Sequence, residues 1–138
     1  SMNLEMIILP GIYSIVQVTD INNFKVNEAK GEFLNISITE DEISLVINEL
    51  YENKLENIIK KESGYSCLKI EGVLDFSEIG ILAKISTVLA DNKISIFAVS
   101  TYNTDYILVK KDSMNKAVEV LKQTKGINIK KFYEYDLV

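Results

Sequence analysis

The sequence predicts an α+β fold of two units in tandem, the second complete in the order βαββαβ and the first degenerate or circularly permuted. Three observations carry that expectation. From Tyr65 onward, segments of period two alternate with segments of helical period. A hairpin pattern in the first half repeats one in the second. A chain of 138 residues with 47% hydrophobic content also holds enough apolar side chains for two small cores.

The second half reads most directly. Residues 66–72 form a strand pattern, and Leu74 to Glu78 a loop ending in residue types that cap helices. Ile81, Leu82, Ile85, Val88 and Leu89 then lie on one stripe at helical spacing, so an amphipathic helix follows and stops near Asp91 and Asn92. Residues 94–101 are β-branched and apolar and pair with 106–110 across a short polar turn. Asp112 is placed to cap a second helix that buries Met114, Ala117, Val118 and Leu121 and closes at Gly126. Residues 127–135 give a last strand, completing a ferredoxin-like split pattern.

The first half repeats this weakly. A shift of 63 lays residues 33–46 on 96–109 without a gap, matching Ser37 to Ser100, Leu45 to Leu108 and Val46 to Val109. Between the strand at 13–18 and this hairpin there is room only for a stunted helix around Phe24 and Val26. Residues 51–62 look helical, which leaves no fourth strand before the chain enters the next unit. Residues 4–9, joined to 12–18 through Pro10 and Gly11, are expected to supply it as an antiparallel neighbour. The expected domains are therefore 2–63, permuted as ββαββα, and 64–138. In the strand at 94–101, Ile94, Ile96 and Ala98 occupy one face and Phe97 and Val99 the other. The second apolar face calls for a cover, either a neighbouring sheet or a homodimer.

Composition narrows the function. All 15 basic residues are lysine, against 20 acidic ones, for a net charge of −5. The lysine doublets at 60–61, 110–111 and 130–131 are dispersed, so no basic face for nucleic acid is expected. No run of 18 apolar residues and no secretory pattern is present, so neither a membrane nor export is expected. Cys67, the only cysteine, sits in an alternating apolar run and reads as a buried structural thiol, which fits a reducing, cytoplasmic setting. With no histidine and no Cys/carboxylate spacing for a metal, the sequence favours neither an enzyme nor a cofactor. Glu40, Asp41 and Glu42 read as a solvated turn.

Residues 68–83 (LKIEGVLDFSEIGILA) and 94–109 (ISIFAVSTYNTDYILV) closely resemble the tandem ACT proteins related to the CASTOR arginine sensors and to aspartate kinase regulatory regions. That resemblance implies a non-catalytic regulatory module of ACT fold, which binds a free amino acid between the loop after the first strand and the second strand. It also implies dimerisation and a regulated protein partner. The residues it places at the site are Asp75, Phe76, Ser77, Ile79, Gly80, Ile81, Ser100, Thr101, Asn103, Thr104 and Asp105.

The chemistry of these residues has its own reading. An amino acid presents a carboxylate and an ammonium, and a site must satisfy both. Without arginine, the carboxylate falls to backbone N–H groups, hydroxyls or lysine, and the start of the helix after Phe76 offers unpaired N–H groups at a positive dipole end. Ser77 serves as N-cap or as ligand contact, and Asp75 with Glu78 can equally form a capping pair. Gly80 permits close backbone approach or tight packing. Phe76 is a core staple or a contact. Asn103 and Asp105 shape the turn or bind, Asp105 being the strong anionic acceptor for an ammonium. Thr101 and Ser100 can donate or accept. Tyr102 and Tyr106 are packing residues first.

Overall fold

A computed structural model of the chain describes residues 3–71 and 79–131. Along it run β1 (Leu4–Ile8), β2 (Tyr13–Val18), β3 (Asn35–Ile38), β4 (Ile43–Asn48), β5 (Ile58–Ile70), α1 (Ile81–Asp91), β6 (Phe97–Ser100), β7 (Asp105–Lys110), α2 (Met114–Lys122) and β8 (Ile127–Lys131). Short 3₁₀ turns stand at Val26–Glu28, Glu49–Lys54 and Lys111–Ser113. The fold is mixed α+β and ferredoxin-like, with eight strands among the described residues. Two compact units emerge: Gly11–Tyr65, and a second made of Ser1–Pro10 with Ser66–Val138.

In the second unit the strand order is β8-β1-β5-β7-β6. The helical stripes read from the sequence are the buried ones: Ile81, Ile85 and Leu89 of α1 with Met114, Ala117 and Leu121 of α2. They pack on Leu68 and Ile70 of β5, Ile107 and Val109 of β7, and inward residues of β1 and β8. Each such fully buried side chain contributes about 1.5–3 kcal/mol. The opposite sheet face is apolar as well, and Ile7, Cys67, Val99 and Leu108 are buried on it, while Phe97 on the edge strand β6 stays 37% exposed.

The N-terminal strand departs from expectation. β1 does not lie beside β2; it pairs antiparallel with β5 (Met6 with Ile70) and parallel with β8 (Leu4 with Ile127). The second unit therefore keeps the direction of its last strand relative to its first and admits an extra strand between them. The permutation ββαββα does not hold, and residues 4–8 group with the C-terminal elements. Buried geometry explains the choice, since Leu4 and Met6 complete the core under α1 and α2. No turn pairing through Pro10 and Gly11 competes with that burial.

The first unit has the order β3-β4-β2-β5. Residues 51–62 are not a helix: the 3₁₀ turn Glu49–Lys54 ends early, and β5 begins at Ile58, pairing Ile58, Lys60, Lys61 and Glu62 with β2. Pairing with β2 overrides a helical pattern here. The crossover after β2 is as stunted as expected, a three-residue turn at Val26–Glu28 linked to the Glu49–Lys54 turn by Glu28 and Lys54 at 3.5 Å. Val16, Val18, Leu45 and Ile47 form its core with Ala29 and Leu55.

The hairpins also correct the repeat. Ile38 pairs with Ile43, and Ser100 with Asp105, so equivalent positions lie 62 apart, not 63. Leu45 and Ile47 then correspond to Ile107 and Val109, all on the core face, whereas a shift of 63 would exchange the faces. Asp112 lies within a 3₁₀ turn, and Ser113, not Asp112, precedes α2 without a side-chain cap bond.

Candidate functional site

Gly80 is the residue at the entry to α1. Its backbone is left-handed, with φ of +79°, a conformation that glycine adopts at little cost. A Cβ there would meet none of the described residues within 4 Å, so the left-handed backbone, not packing against them, accounts for the glycine. No side chain among the described residues caps this helix end, while the Gly80 carbonyl accepts from the Lys84 N–H at 2.9 Å. Ile79 beside it is 90% exposed, and Ile81 is buried in the core. The first-turn N–H groups of α1 have no acceptor within the helix. Asp75, Phe76 and Ser77 lie outside the described residues.

The turn between β6 and β7 forms the other element. Thr101 donates its N–H to the Thr104 carbonyl at 2.8 Å, and its Oγ1 also donates there at 3.1 Å. The Thr104 N–H in turn donates to Thr101 Oγ1 at 3.4 Å. Ser100, Thr101 and Asn103 are exposed, and Asp105 is half-buried as the first residue of β7. Thr104 differs from all of these. It is 3% exposed, and its Oγ1 donates to the Ile70 carbonyl at 2.8 Å.

That bond ties the β6–β7 turn to the last residue of β5, the strand that precedes α1 in the chain. Ile70 and Ile81 share one core. Of the expected residues, Gly80 and Asp105 stand at positions where backbone and carboxylate are accessible. Thr104 faces the protein and not solvent. The sequence carried no sign of the Ile70 bond, since a threonine in a turn reads as a local hydrogen bonder. Behind the turn, Tyr106 is half-buried, and its hydroxyl is pushed up from its ordinary value by burial first and by Cys67 second. Burial alone pushes the Cys67 thiol up, so it is held neutral.

The first unit has a corresponding loop after β2, and it is closed on itself. Asp20 Oδ1 accepts from the Asn22 N–H at 3.1 Å, and Oδ2 accepts from the Asn57 side-chain amide at 3.1 Å. The Thr19 N–H donates to the Asn57 carbonyl at 3.2 Å. What remains among Asp20, Ile21, Phe24 and Leu55 is a cavity of about 10 Å³, room for one water at most. An open trough of about 480 Å³ crosses one face of the same unit, lined by Ile15, Gln17, Ser44, Lys60 and Glu62 among others. Most of its lining residues are polar or charged, but much of its surface is apolar, contributed by Ile15, Val16 and the aliphatic stems of the long side chains. Among the described residues no group of three or more Cys, Asp or Glu side chains can hold a metal, and no helix is long and apolar enough to cross a membrane.

Residues 60–123 match the ACT domain family. The cytosolic arginine sensor for mTORC1 subunit 1 of Homo sapiens is 33% identical over 96 residues, covering 66% of this chain and 29% of that one. The chain thus spans 29% of the length of the curated relatives it matches. A protein of Agrobacterium tumefaciens solved by a structural genomics consortium superposes with a TM-score of 0.78 at 27% identity, over 95% of each chain. The ligand-free regulatory subunit of aspartate kinase from Thermus thermophilus shares the fold, with a TM-score of 0.58 at 12% identity over 82% of this chain and 92% of that one. By sequence and by fold, the chain resembles the ACT-domain regulatory proteins, with residues 60–123 carrying the match.

Proposed function

We propose that this chain is a non-catalytic regulatory module that binds a free amino acid where β5 gives way to α1 and signals through assembly or a regulated protein partner. One observation carries this reading: the Thr104 hydroxyl bonds the Ile70 carbonyl and so ties the turn that carries the half-buried Asp105 to the end of β5, the strand that precedes α1. On this reading the first-turn N–H groups of α1 around Ile79, Gly80 and Ile81 hold the ligand carboxylate, and Asp105 accepts from its ammonium. Ser100, Thr101 and Asn103, exposed around the same turn, serve as further contacts, as do Asp75, Phe76 and Ser77. The names of the relatives support an amino acid as the ligand class and regulation, not catalysis, as the role.

Assembly as a homodimer fits the edge position of β6, which leaves Phe97 and Ala98 exposed on an apolar strand. A screen of melting temperature against the standard amino acids tests the reading, since a ligand at 100 times its Kd stabilises by about 2.7 kcal/mol. Silence toward every amino acid at millimolar concentration would overturn it. The same exposed edge favours a second reading, an ACT-type interaction module without a ligand. Capture of a protein partner by an amino-acid-blind chain would support that one.

A further inference from the structure

We propose that Thr104 is a positioning residue of the amino-acid site and not one of its contacts: a side-chain latch that fixes the β6–β7 turn to the end of β5. The inference rests on the reading of an amino-acid site there. Every polar group of Thr104 has a partner inside the protein. Its carbonyl accepts from Thr101 twice, its N–H donates to Thr101 Oγ1, and its hydroxyl donates to Ile70. At 3% exposure it offers no surface to a ligand.

The molecule contains its own control. The turn between β3 and β4 closes in the same way, with the Thr39 N–H donating to the Glu42 carbonyl at 2.9 Å and the Glu42 N–H to Thr39 Oγ1 at 3.1 Å. Glu42 occupies the position of Thr104 there, 62 residues earlier, and it is exposed. Turn closure therefore needs no hydroxyl at the fourth position. What the Thr104 side chain adds is the bond to Ile70, made where β5 ends. On the other side of β5, the Glu71 N–H donates to the Glu5 carbonyl at 2.7 Å, so this strand end is held from both flanks. Asp105 follows Thr104 directly, and its carboxylate inherits the placement. A site that must meet two opposite charges gains affinity from such preorganisation.

Thr104→Val keeps the shape and removes the donor, and Thr104→Ser keeps the donor. The wild type is first screened with each standard amino acid, and the affinity of the responding one is measured by calorimetry for both variants. Amide hydrogen exchange at Glu71, Thr101 and Asp105 is followed in the ligand-free proteins. The latch predicts that Thr104→Val loses affinity about tenfold or more and exchanges faster at these amides, while Thr104→Ser stays near wild type in both. A Thr104→Val protein that melts lower yet binds as wild type does would overturn the proposal, leaving only a structural role. If the wild type answers to no amino acid, the functional reading fails by itself. Exchange then still judges the latch: faster exchange in Val but not in Ser supports it, and unchanged exchange overturns it.

Discussion

Two strand ends in this molecule, those of β2 and β5, are followed by the same kind of hairpin and have become different things. After β2 the chain has only residues 19–34 before β3, and it makes a three-residue 3₁₀ turn; after β5 it has residues 71–96 before β6, and an eleven-residue helix fits. The short crossover is accompanied near the strand end by solvent-exposed polar bonds. Asp20, Asn22 and Asn57 satisfy one another there and fill the space. The long crossover supplies the helix Ile81–Asp91, and the turn after β6 is tied to the end of β5 through Thr104. On the proposed reading, crossover length decides whether a strand end is plugged or left able to receive a ligand.

The largest expected contrast lies in the crossovers themselves. Leu89→Ala in α1 empties a fully buried position and costs about 2–5 kcal/mol in urea unfolding. Val26→Ala in the stunted turn, where the side chain is 44% exposed, shifts stability by no more than about 0.5 kcal/mol. Equal losses would break the comparison.

The paired carboxylates come next. Asp105→Asn keeps the shape and removes the charge, so calorimetry should show about 1.5–3 kcal/mol of lost affinity, roughly tenfold to a hundredfold, at an unchanged apo melting temperature. Asp20→Asn should show the reverse, with about 0.5–1.5 kcal/mol of stability lost and affinity intact, because its carboxylate closes a loop and meets no ligand. If Asp105→Asn only lowers the melting temperature, Asp105 belongs to the turn. The smallest effect is the sharpest count: titration should saturate at one amino acid per chain, and two would mean that the Asp20 loop opens.

Much of the second unit was legible because its periodicities are strong and local. The stripe Ile81, Ile85 and Leu89 coincides with the buried face of α1, and the apolar run Ile107–Val109 is buried throughout. Residues 51–62 misled, because a helical pattern in a short segment yields to pairing with β2, a partner far away in sequence. The repeat misled by one residue, because identities such as Ser37 with Ser100 reflect chance, while Thr39 and Thr101, which build the turns, sit 62 apart. At the site, Gly80 and Asp105 were visible as residue types. The part played by Thr104 was not, since its meaning lies in a carbonyl 34 positions away.

The placement of β1 between β5 and β8 bears on how the chain reaches this fold. Its pairing with β8 joins residues about 120 positions apart, so β1, which precedes every other strand described, finds a parallel partner only when residues 127–131 appear. Until then the edge of β1 that faces away from β5 is unpaired, and an open edge of this kind invites other chains. A fragment restricted to residues 64–138 would carry the ACT match through residue 123 and yet lack a central strand of its own sheet. Slow refolding of the whole chain, and concentration-dependent association of that fragment through its unpaired β5 edge, are the marks this arrangement should leave.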